Sequence, residues 1–163
     1  MPNPNGFPTP GTVLWAQDVA LDRDVFRSGA AGKANVDYLR FTDLDIGIEG
    51  RISEEDARIH MMEPGQGISL FLERMIPEGL VVMGLANWNG VPKKDKKKIH
   101  WWGIDQGHPI PSGLRIVYDG QPPGHCTLTV IRTMTVQAFL ALVTQVPFSS
   151  RGSDMVGPIH SMT

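Results

Sequence analysis

Two residues combine reactive side chains with settings that would hold them still. Ser69 lies in Gly67-Ile68-Ser69-Leu70-Phe71, a small-residue turn feeding an apolar run. A hydroxyl there can align a ribose or brace another side chain. It does not sit in a Gly-x-Ser-x-Gly elbow, so a hydrolase nucleophile is unsupported. Taken alone, its plainer reading is a serine capping a strand. His125 opens His125-Cys126-Thr127-Leu128-Thr129-Val130. Strand alternation puts His125, Thr127 and Thr129 on one face and Cys126, Leu128 and Val130 on the other. A histidine leading two threonines suits the orientation of a polar ligand, against the plainer reading of a structural histidine. Cys126 falls on the apolar side and reads as a small buried hydrophobe.

Other groups offer weaker chemistry. His100, Trp101, Trp102 and His108 lie close together. Their indoles can stack on a nicotinamide or adenine ring, or fill a core. A zinc site from His100, His108 and His125 matches no ligand spacing. The run Lys93-Lys94-Asp95-Lys96-Lys97-Lys98 holds five of the six lysines. With Trp88, Trp101 and Trp102 beside it, it makes a basic and aromatic patch of the kind used on phosphates and nucleic acids. The alternative is a solvated loop between strands. Arg40 and Arg51 can grip a pyrophosphate in bidentate fashion, although nothing in the sequence selects them over other arginines. No Walker loop is present, and no glycine fingerprint opens a βαβ unit.

The elements that must position these groups can be read from hydrophobic spacing. Residues 12–16 form a first strand. Asp22 to Arg27 reads as a short helix that stops in a Ser28–Gly32 loop, and Val36 to Phe41 as strand or helix. Ser53 to Met62 is a helix with Ser53 as N-cap, Asp56 at the capping-box distance and acids in the first turn. Ala57, Met61 and Ile52 form its apolar stripe. From Gly67 the pattern changes to short apolar runs separated by Gly and Pro: 68–72, 80–85, 99–104, 114–118 and 126–131. That spacing predicts a curved or two-sheet β structure. Ile76-Pro77-Glu78-Gly79-Leu80 recurs as Ile110-Pro111-Ser112-Gly113-Leu114, and a Pro-x-Gly turn entering a strand explains both copies. Thr135 caps a last helix to Val146, with Phe139, Leu140, Leu142 and Val143 on its apolar face. Residues 1–11 read as a flexible arm and 149–163 as a flexible tail, leaving one domain over 12–148.

Bulk composition excludes several classes. At 41% apolar and 20% charged residues the chain is ordinary globular material. A formal charge of −2 gives no whole-molecule case for nucleic acid or anionic lipid. One cysteine forbids an intrachain disulfide framework and suits a reducing compartment. No run approaches the roughly 20 apolar residues that span a bilayer, so no membrane partner is expected. No charged-then-apolar leader opens the sequence. Synthesis in the cytoplasm is expected, with any export by a dedicated machine.

In order and spacing, Gly67-Ile68-Ser69-Leu70-Phe71-Leu72-Glu73-Arg74, Ile110 to Val117 and His125 to Met134, followed by the helix Val136 to Val143, resemble a type VI secretion toxin family. The resemblance covers about half the chain. It implies an α+β, ADP-ribosyltransferase-like fold: two small antiparallel sheets forming a cleft with flanking helices. It also implies NAD as substrate, Ser69 and His125 as catalytic residues, and Ser69, Phe71, Trp15, His125 and Thr127 around the NAD. A cytotoxic effector would modify a macromolecular acceptor in a target-cell cytoplasm, and its producer would need an immunity protein. Ile68 stands where the family carries a threonine and Trp15-Ala16 where an aromatic-Arg pair is usual. No Glu-x-Glu motif opens a strand. Two alternatives accompany this reading: a metal-independent nuclease toxin pairing His125 with His100 or His108, and a non-catalytic binding domain.

Overall fold

The structure, a computed structural model, describes residues 6–74, 80–83 and 97–158. The fold is α+β and its strand pairings are antiparallel. The strands are β1 (Val13–Trp15), β2 (Phe26–Gly29), β3 (Met61–Met62), β4 (Gly67–Phe71), β5 (Leu80–Met83), β6 (Lys97–Ile104), β7 (Leu114–Tyr118), β8 (His125–Val130), β9 (Met134–Thr135) and β10 (Phe148–Pro158). The helices are α1 (Glu54–Ile59) and α2 (Val136–Val143). Eight strands form one sheet in the order β1-β7-β8-β4-β2-β6-β10-β5, and β3 pairs with β9 apart from it.

That sheet is two halves with one seam. β4 is matched to β8 over five residue pairs, Gly67↔Thr129 through Phe71↔His125. β2 is matched to β6 over four. Between the halves, β2 and β4 share a single pair, Phe26↔Phe71. Beyond it the strands part, and a cleft opens between them. The expected pair of small sheets is corrected: one eight-stranded antiparallel sheet, joined at its middle by the single pair Phe26↔Phe71, is accompanied only by the short β3–β9 pair among the described residues.

One face of the β7–β8–β4 half is sealed. Leu114, Ile116, Tyr118, Cys126, Leu128, Val130, Ile68 and Leu70 are all buried, in one cluster with Val136, Phe139 and Val143 of α2. The Thr135 hydroxyl accepts the Ala138 N–H at 3.1 Å and starts that helix. Period-2 alternation then sends Arg115, Val117, Thr127, His125 and Ser69 to the opposite face. Tight packing of β4 on β8 requires Gly67: an added Cβ would lie 1.9 Å from the Leu128 carbonyl oxygen.

Several expectations are corrected. Asp22 to Arg27 is not a helix. Phe26 and Arg27 enter β2, because cross-strand pairing to Gly103 and Trp102 is available to them. Residues 36–40 form neither a named strand nor a helix; they lead to a short 3₁₀ turn, Phe41–Leu44. The helix after Ser53 ends at Ile59, so Met61 is half exposed and Met62 buried in β3. Its start is as expected, with the Asp56 N–H donating to Ser53 Oγ at 3.1 Å. The supposed tail is β10 up to Pro158, inserted between β6 and β5. Part of the supposed arm is also held. Gly11 N–H donates to the Tyr118 carbonyl at 2.7 Å and the Phe7 ring packs 6.1 Å from that of Tyr118. The first Pro-x-Gly copy, Trp88 and residues 93–96 of the lysine run lie outside the described residues. Among the described residues no helix is long and apolar enough to cross a membrane.

Candidate active site

Ser69 and His125 meet on the open face of the β4–β8 ladder. Ser69 is opposite Thr127, and Phe71 opposite His125, so the serine reaches the imidazole diagonally. His125 Nε2 is 2.9 Å from Ser69 Oγ, and His125 Nδ1 is 2.6 Å from Asp119 Oδ1. A carboxylate only accepts, so in the neutral ring Nδ1 carries the proton toward Asp119 and Nε2 is free to accept from the Ser69 hydroxyl. The result is a Ser69–His125–Asp119 relay. The imidazole side chain is 16% exposed and that of Asp119 39%, so the relay is shielded yet reachable. Phe71 packs edge-on against the imidazole at 5.2 Å between centroids.

Asp119 was not legible as a functional residue, yet the turn between β7 and β8 is built to hold it. Its Oδ1 also accepts the Gln121 N–H at 3.1 Å, and its Oδ2 accepts the Thr127 hydroxyl at 2.8 Å. The Tyr118 hydroxyl accepts the Gly124 N–H at 3.0 Å and ties the turn to the core. The one available signal was positional: an acid at the end of one apolar strand, with the histidine at the start of the next.

Arg27 was missed as well. From β2 it reaches across the seam, donating to the Ser69 carbonyl at 3.0 Å, to Asn35 O at 3.0 Å and to Ala34 O at 3.1 Å. Among the described residues it has no carboxylate partner within ion-pair distance. Burial pulls its pKa below the ordinary value, Tyr38 and Asp43 oppose that, and the nearby Arg40 charge adds to the lowering. An arginine does not lose its proton under these conditions. The lowering reflects chiefly the burial of a guanidinium that stays charged. Arg27, Asn35, Tyr38, Arg40, Ser69 and Phe71 share a cleft of about 380 Å³. Arg51 is bridged to Arg40 through their backbones, so the arginine pair considered for a pyrophosphate is brought together.

Other candidates are placed elsewhere. Trp15 is buried in β1 beside Ile116, with 1% of its surface exposed. β7 and β8 separate it from β4, which removes it from the ligand-binding set. Thr127 serves the site through Asp119, its hydroxyl being committed to that carboxylate. Cys126 is fully buried, and burial with the Asp119 charge pushes its thiol up to about 12. Trp101 is core, its indole N–H donating to Asp154 at 2.7 Å, while Trp102 donates to Ala30 O at 2.8 Å. His100 sits in β6, separated from β8 by β4 and β2, and His108 in an exposed turn. The pairing of His100 with His125 that one form of the nuclease alternative needs is therefore not assembled. Among the described residues no group of three His, Cys, Asp or Glu is arranged to hold a metal ion.

Comparison with protein-family models, curated proteins and solved structures finds no match.

Proposed function

We propose that this chain is a cytotoxic effector that transfers ADP-ribose from NAD to a component of a target cell. The observation that carries the reading is the Ser69–His125–Asp119 relay, whose Ser69 end lines a cleft with Arg27 and Arg40 in its wall. NAD is a suitable occupant because its pyrophosphate is a dianion, and two guanidinium groups that repel one another gain from an anion between them. In this reading Ser69 and Phe71 hold the nicotinamide ribose beside the relay. His125 Nε2 takes the proton from the acceptor as its nucleophile bonds to the ribose carbon and nicotinamide departs. Asp119 stabilises the imidazolium that forms. Positioning and electrostatics supply the rate. No glutamate of the described cleft takes the usual transferase role, and the relay replaces it. Export by a type VI machine and a protecting immunity protein follow from the family resemblance alone.

The test is incubation of purified protein with labelled NAD and target-cell lysate. Nicotinamide release with label in a macromolecule supports the proposal, and loss of both in His125→Ala assigns them to the site. No nicotinamide release at any protein concentration sinks it.

One observation favours a second reading. The order serine, histidine, carboxylate at 2.9 and 2.6 Å is also that of acyl-transfer enzymes, with Ser69 as covalent nucleophile. Labelling of Ser69 by a fluorophosphonate probe, without nicotinamide release, would select it.

A further inference from the structure

A second cavity, of about 500 Å³, lies beyond Tyr38 and includes Asp37, Tyr38, Arg51, Glu54, Ala57 and Leu140 in its lining. It plays no part in the relay, but it adjoins the relay's cleft. Tyr38 lines both spaces. Arg40 lines the cleft, Arg51 lines the cavity, and the two residues face each other across an isolated antiparallel bridge. Bridge partners stand about 5 Å apart at Cα. The route from Ser69 past Arg27 and Arg40 to Arg51 is therefore short.

We propose that this cavity is a nucleoside site, holding the ribose and base at the far end of a dinucleotide whose near end lies at Ser69. This rests on the dinucleotide reading above. The Arg51 guanidinium sits 4.2 Å from the centroid of the Tyr38 ring, so a cation–π stack forms part of the cavity lining and offers a flat surface to a base. Leu140 and Ala57 supply apolar wall. Asp37 and Glu54 supply carboxylates, which accept from the paired hydroxyls of a ribose. The same carboxylates oppose a phosphate at the ribose 2′ position, and Arg51 is already 3.8 Å from Asp37. The site therefore selects an unphosphorylated ribose: NAD over its 2′-phosphate.

Calorimetry on the full chain tests this with four probes: NAD, its 2′-phosphate, ADP and nicotinamide mononucleotide. Arg51→Ala is the main variant. Its side chain is more than half exposed, and Asp37 keeps Lys33 at 3.3 Å, so the fold survives. ADP is expected to bind and to weaken about tenfold in Arg51→Ala, with nicotinamide mononucleotide changing less than about twofold. The 2′-phosphate should bind about tenfold more weakly than NAD, and Asp37→Asn with Glu54→Gln should narrow that gap. Unchanged ADP affinity in Arg51→Ala, equal affinity for both dinucleotides, or no ADP binding overturns the nucleoside site. ADP binding that depends on Arg51 without NAD turnover supports the site and sinks the transferase reading. NAD turnover with ADP indifferent to Arg51 does the reverse.

Discussion

The proposed chemistry depends on one imidazole held between a hydroxyl and a carboxylate. At this scale, removing the ring should cost activity and little stability. His125→Ala is expected to lower turnover about 10²–10⁴-fold. The lost bond to Asp119 is worth about 1–2 kcal/mol, a Tm drop of about 3–6 °C, read by differential scanning fluorimetry. Asp119→Asn keeps the shape but removes the charge that stabilises an imidazolium. It should depress kcat more than KM. Cys126 gives a prediction of the opposite kind. With its thiol pushed up to about 12, it should resist iodoacetamide at pH 8 until the chain is unfolded. Because that value lies above the unfolded one, the thiol's contribution to stability is complete below about pH 8.5. It is lost as pH rises toward 12, so urea midpoints should fall across that window. Ser69 and His125 were visible from the sequence because each follows a glycine at a strand entrance. Asp119 and Arg27 were not. Their roles come from side chains crossing between elements, which neither composition nor spacing records.

At the scale of elements, the site depends on β4 lying flush against β8. Gly67→Ala would drive a methyl into the Leu128 carbonyl. The atoms it would meet are β8 backbone, which cannot swing aside as a side chain can, so a loss of about 3 kcal/mol is expected in chemical denaturation, together with loss of activity. The strands from β4 through β8 were readable because alternation or short apolar runs marked each one. β2 and β10 were not. β2 is short and begins where acids and arginines imitate a helix start. β10 is polar, with Gly152 at φ +86° and a register shift between Ser150 and Ser153. Its place comes from backbone pairing to β6 and β5, a long-range interaction that leaves little trace in local pattern.

At the scale of the molecule, two half-sheets share one strand pair, Phe26↔Phe71, and the cleft exists because their ladder pairing goes no further. The β6–β10–β5 half is therefore structural support for Arg27, although it carries none of the relay. Ending the chain after Pro147 removes β10 and uncovers Trp101. The expected outcome is loss of cooperative unfolding by circular dichroism. The most direct measurement of the central claim is nicotinamide release from NAD by the intact chain, side by side with His125→Ala and Asp119→Asn proteins verified as folded. Release by the intact chain, abolished in the first variant and strongly reduced in the second, is the predicted result. Equal release by all three, or none from the intact chain, would contradict it.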